Sequence, residues 1–107
     1  MKALHALILE GDSHAAEEYQ RVLRMEGLTP VACTKPQEFL GAMDRQDFSL
    51  AIIDQDLLGN EVLSFLREAK NKQPEMAILL MAGFSTVEEA VAAMQVGAFD
   101  FLSKPVH

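Results

Sequence analysis

This 107-residue chain is short of several things. It has a single cysteine, Cys33, so it can build neither a disulfide framework nor a cysteine-rich metal centre. Cys33 lies in an apolar, strand-like stretch and reads as a buried, inert thiol. The three histidines, His5, His14 and His107, share no metal-binding spacing and read as surface residues. Basic residues are scarce, nine against sixteen acidic ones, for a formal net charge of −7. That balance argues against direct nucleic-acid binding, which rests on neutralising phosphates. No apolar run approaches the roughly 20 residues of a membrane span, and the opening MKALHALILE is too short in apolar residues for a secretory signal. A soluble, reducing, cytoplasmic setting is the expectation. Linkers, repeats and low-complexity segments are also missing, and half the residues are hydrophobic (50%), which suits one domain with a modest core.

What is present is a set of apolar runs that end abruptly on charge. Leu50-Ala51-Ile52-Ile53 stops at Asp54, Leu7-Ile8-Leu9 at Glu10, and Phe101-Leu102-Ser103 at Lys104. An acid directly after such a run belongs at the carboxyl edge of a buried parallel strand, where open α/β sheets place their chemistry. Two carboxylates facing a lysine outline a phosphoryl or metal site. Carboxylates about 5 Å apart repel by roughly 3 kcal/mol at an effective dielectric near 20, so such a cluster needs a cation.

Strand-length runs alternate with helix-length amphipathic segments about five times, which predicts a parallel sheet with helical crossovers. The first helix is expected over 13–26, with Ala15, Ala16, Tyr19, Val22 and Leu23 inward and Gly27 as its stop. A weak strand over 31–33 follows Pro30, whose missing N–H suggests a sheet edge. Pro36 opens a second helix with Phe39, Leu40 and Met43 inward, and 44–47 form an exposed turn. After the strand ending at Asp54 come a loop over 55–60 and a third helix over 61–71 that buries Val62, Phe65, Leu66 and Ala69. Residues 76–81 read as a fully buried fourth strand. Ser85-Thr86-Val87-Glu88 reads as a capping box for a fourth helix through Gln95, stopped by Gly97, with a fifth strand over 101–103. Met25, Met43, Met76 and Met94 read as helix-face and core packing.

The order βαβαβαβαβ, with ILEGDS, AIIDQDLLGNEV and FDFLSKP at the ends of strands one, three and five, resembles the response-regulator receiver family over the whole chain. AVAAMQVGAFDFLSKP is most similar to receivers of nitrogen-regulator-type enhancer-binding activators. The resemblance implies a doubly wound, flavodoxin-like five-stranded parallel sheet of order 2-1-3-4-5. It implies phosphoryl transfer from a histidine kinase or phosphotransfer protein to Asp54, with Lys104 paired to the carboxylate and the phosphoryl oxygens. Mg²⁺ would be held by Glu10, Asp54 and Asp56, the last through backbone or side chain, with Asp12 a further candidate. It also implies a cis bond between Lys104 and Pro105, and a homodimer through the fourth helix and fifth strand, where Val87, Ala90, Val91, Met94 and Phe101 lie and are mostly expected to be core.

The chain departs from that pattern at several places. Gly11 stands where receivers carry a second acid that binds the metal directly. Met81 is placed where the fourth strand of receivers ends in a threonine or serine that bonds the phosphoryl group, and Phe101 stands where receivers carry a switching tyrosine or another aromatic, keeping the ring but not the phenol. Leu58 replaces a proline that stiffens the loop after the acceptor. The sequence stops at His107, before the fifth helix of a receiver, and reads as a receiver domain over 1–107 truncated there. Gly11 and Met81 favour a rival reading, a phosphorylation-independent interaction or dimerisation module. A second rival is an aspartate-nucleophile phosphohydrolase using Asp54 and Asp56. Apart from self-phosphorylation and self-dephosphorylation, the favoured reading is a signalling module and not an enzyme.

Overall fold

The apolar runs form five parallel strands in a computed structural model that describes residues 4–83 and 86–104. In chain order the elements are β1 (Leu4–Leu9), α1 (Ser13–Met25), β2 (Leu28–Cys33), α2 (Pro36–Met43), β3 (Leu50–Asp54), α3 (Val62–Lys72), β4 (Ala77–Ala82), α4 (Val87–Gln95) and β5 (Asp100–Ser103). The sheet order is β2-β1-β3-β4-β5, as the receiver resemblance implies. Strands β1 and β3 lie inside the sheet with both faces covered, which is why they read as continuous apolar runs. Their register sets Leu7 against Ala51 and Ile8 against Ile52. Pro30 sits in the edge strand β2, as its missing N–H requires.

The core has two sides. Leu7, Leu9, Ile53, Ile78 and Leu80 pack with Phe39, Phe65 and Leu66 of α2 and α3. Ala6, Ile8, Ile52 and Met81 pack with Leu23 of α1. Gly27 ends α1 in the left-handed region at φ 87°, where a side chain would be strained.

Several boundaries and faces differ from expectation. Strand β2 begins at Leu28, because its ladder pairs with β1 from Leu4 onward and carries Thr29 and Pro30 into the sheet. Strand β4 starts and ends one residue later than expected, and Ala77 and Leu79 are only half-buried. Residues 55–61 are not a plain loop but two 3₁₀ turns, Gln55–Leu57 and Gly59–Glu61. Helix α4 is capped by Thr86, whose hydroxyl accepts from the Glu89 N–H while the Glu89 carboxylate accepts from the Thr86 N–H. Two overlapping capping patterns are present in the sequence, and the structure has the second, in a helix whose buried residue is Ala93. Val22, Met25, Val87, Val91 and Met94, read as inward, are exposed. Cys33 is half-buried, and desolvation pushes its thiol pKa up, in keeping with an unreactive group. His5 is likewise half-buried, edge-on to Phe48.

Gln73 was not singled out by sequence and anchors the lower end of the sheet. Its Nε2 donates to the Met43 and Gln46 carbonyls, and its Oε1 accepts from the Phe48 N–H. Among the described residues, no helix is long and apolar enough to cross a membrane.

Candidate functional site

The strand ends deliver three charged groups to one place. Glu10 follows β1 and is 2% exposed, Asp54 ends β3 and is 4% exposed, and Lys104 follows β5. The Lys104 N–H donates to the Ala82 carbonyl, tying the lysine to the end of β4. Its Nζ then lies 3.0 Å from Asp54 Oδ1, 3.5 Å from Glu10 Oε1 and 4.0 Å from Asp56 Oδ2. The convergence read from the three run ends is therefore present in space.

The carboxylates are held by backbone as well as by the lysine. Asp54 Oδ1 accepts from the Asp56 N–H at 3.0 Å, and Glu10 Oε2 accepts from the Asp12 N–H at 3.1 Å. Glu10 Oε1 is buried and makes no hydrogen bond, its contact with Lys104 being a longer, charge-only one. Burial raises the Glu10 pKa, and the neighbouring Asp54 adds to it, against the opposing Asp12 N–H and Lys104. Partial burial acts to lower the Lys104 pKa, but Asp54 and Glu10 together outweigh it and the net direction is upward. Lys104 therefore stays charged as the counter-ion of the pocket.

The other expected residues divide. Asp56 overhangs the site with a largely exposed side chain. Asp12 is turned to the start of α1, where its Oδ1 accepts from the His14 and Ala15 N–H groups, so helix capping takes this carboxylate. Met81 does not face the site: it packs into the α1-side core with Ala6, Ile8, Leu23 and Ile52. Side chains alternate along a strand, and β4 runs to Ala82, so the residue at the strand end is Ala82. That residue, missed in the sequence, offers no hydroxyl either. Phe101 is half-buried against the α2–α3 core. Leu58 is buried in the same core, 6% exposed, and so pins the turn after Asp54 by packing. The Lys104–Pro105 bond lies outside the described residues.

A divalent cation such as Mg²⁺ needs about six oxygens at roughly 2.0–2.1 Å in near-octahedral order. The residues present do not fit it. Among the described residues no three His, Cys, Asp or Glu side chains are grouped to hold a metal ion. Glu10, Asp54 and Asp56 converge on an ammonium group instead. At residue 11, where the resemblance expects an acid, a Cβ would come within 3.1 Å of Leu57 Cδ2, so the neighbour of that position is apolar.

The response regulator receiver domain family matches residues 6–107. A putative NtrX-like response regulator of Rickettsia bellii is 28% identical over 98% of this chain and 22% of its own length. The DNA-binding transcriptional regulator NtrC of Salmonella typhimurium is 30% identical over 92% of this chain and 21% of its own length. The chain thus spans about a fifth of these relatives. The fold matches, with a TM-score of 0.87 and 24% identity over 97% of this chain and 61% of the other, a Burkholderia pseudomallei response regulator crystallised with a phosphorylated aspartic acid, calcium ion and citrate.

Proposed function

The chain belongs to the response regulator receiver domain family, and from that premise we propose that Asp54 accepts a phosphoryl group from the phosphohistidine of a histidine kinase or phosphotransfer protein. The observation that carries this reading is the buried Asp54 carboxylate held 3.0 Å from the Lys104 ammonium at the carboxyl edge of the sheet. Asp54 Oδ1 is engaged by Lys104 and by the Asp56 N–H, so Oδ2 is the oxygen left to attack. In that step the Oδ2–P bond forms and the N–P bond of the donor breaks, with the electron pair returning to the imidazole. Lys104 offsets the negative charge as the two anionic groups approach, a role a preorganised cation fills at little reorganisation cost.

Receiver domains are signalling modules and not enzymes in the ordinary sense, so the phosphohydrolase reading gives way to this one. The output we propose is transcriptional, which the NtrC relative supports, and the setting we propose is the cytoplasm. The net charge of −7 suits a domain whose partner is protein and not nucleic acid. A homodimer through α4 and β5 is supported by Val87, Val91, Met94 and Leu102, which are exposed there.

A second reading has its own observations. Gly11 and Ala82 lack the carboxylate and the hydroxyl on which the family's phosphorylation switch is expected to rest, which favours an interaction module that works without phosphate. Intact-mass spectrometry after incubation with acetyl phosphate separates the two. The acceptor reading expects a gain of one phosphoryl mass that is lost in Asp54→Asn. No gain, beside a conventional receiver that labels in parallel, supports the interaction module.

A further inference from the structure

We infer that this pocket has given up the divalent-cation position of its family: Lys104 is the resident counter-ion of Glu10 and Asp54, residue 11 offers no carboxylate, and the Leu57 side chain lies against the position a residue-11 side chain would take. Two independent observations support the inference. First, the ammonium lies 3.0, 3.5 and 4.0 Å from three separate carboxylates, so the positive charge already sits where their fields overlap. The lysine already offsets part of the negative charge that would attract a dication, and of the three acids only Glu10 and Asp54 are buried, Asp56 being largely exposed. Second, the backbone at Gly11 is outside the left-handed region, so nothing in its conformation requires glycine. The close neighbour of a residue-11 side chain is instead Leu57, with Cδ2 at 3.1 Å and Cδ1 at 3.7 Å from the Cβ position.

The glycine and the leucine are therefore complementary. With no side chain at residue 11, the 3₁₀ turn over Gln55–Leu57 brings the end of an apolar side chain up to that position. A hard cation arriving at Asp54 would find no carboxylate at residue 11, a position whose close neighbour is the apolar end of Leu57. Asp12 does not make up the loss, because its Oδ1 caps α1. This inference builds on Asp54 as the acceptor, yet it concerns metal binding alone and is tested without any phosphoryl donor.

The test is a Mg²⁺ titration of the chain followed by amide chemical shifts, in wild type, Gly11→Asp, Gly11→Asp/Leu57→Ala and the control Gly11→Ala. The dispersion of the same spectra reports whether each variant is folded. The expected result is no saturating, Asp54-dependent shift in the wild type or in Gly11→Ala. Gly11→Asp, or the double variant with Leu57 trimmed, gains binding by about tenfold or more, equivalent to about 1.4 kcal/mol. Saturation in the wild type that disappears in Asp54→Asn overturns the inference, and so does a failure of both aspartate variants to gain affinity. Acetyl-phosphate labelling is read separately, so a wild type that neither binds metal nor labels sinks only the acceptor reading.

Discussion

At the scale of single residues the pocket is governed by two buried acids sharing one lysine. Glu10 is the more costly of the two, since Oε1 is buried without a hydrogen bond and its pKa is raised by that burial. The sign follows from linkage. Between the ordinary value of 4.5 and its raised native value, Glu10 holds its proton in the folded chain and releases it in the unfolded one. Its contribution to stability is therefore complete below 4.5 and declines as pH rises through that window. Glu10→Gln keeps an acceptor for the Asp12 N–H but cannot ionise. Urea unfolding measured across that pH range should lose this downward slope in the variant, and an identical slope in both proteins would contradict the assignment. At Gln73 the cost is of another kind. Truncating it to alanine strands the Phe48 N–H and two carbonyls. About 2–3 kcal/mol of stability should go with them in denaturant titrations.

At the scale of elements, pattern and packing contributed differently. The strands ending at Asp54 and Glu10 were legible because an apolar run cut off by an acid has few other uses, and the sheet order followed from the family resemblance. The α3 stripe Phe65, Leu66 and Ala69 was legible from its helical period and is buried. Position α4 was legible but its register was not, since Ser85…Glu88 and Thr86…Glu89 are the same pattern shifted by one. Val87 and Val91 lie on its outward side, and a one-residue extension of β4 moves the strand end from Met81 to Ala82. A period-2 element is unforgiving here, because one residue exchanges the core face for the site. Thr86→Ala should cost about 1 kcal/mol by denaturation. Glu88→Ala should stay within about 0.5 kcal/mol. Equal losses would return the cap to the first pattern.

At the scale of the whole molecule, a sheet with five parallel strands gathers its chemistry at one edge and leaves apolar surface on another face. Glu10, Asp54 and Lys104 are far apart in sequence and meet only because the crossovers bring β1, β3 and β5 into one sheet. Leu57 over Gly11 and the missing hydroxyl at Ala82 were hidden from the sequence for the same reason, since each depends on where another element comes to rest. The exposed α4 residues Val87 (77%), Val91 (49%) and Met94 (44%) make self-association the property to examine. Val91→Asp should weaken any dimer by about tenfold or more, ~1.4 kcal/mol, in sedimentation equilibrium. Its thermal stability should change little, because the side chain is half out of the core. A dimer untouched by this change must use a different face.

The account rests most on Asp54 as the residue that takes the phosphoryl group, and the most direct measurement is to locate that group chemically. Acetyl-phosphate-treated protein is reduced with borohydride, which converts an acyl phosphate to an alcohol, and then mapped by peptide mass spectrometry. The predicted result is a single reduced site at Asp54, absent without the donor and absent in Asp54→Asn. Reduction at Asp56, at Glu10 or at no residue, while a conventional receiver treated alongside is marked, would contradict it.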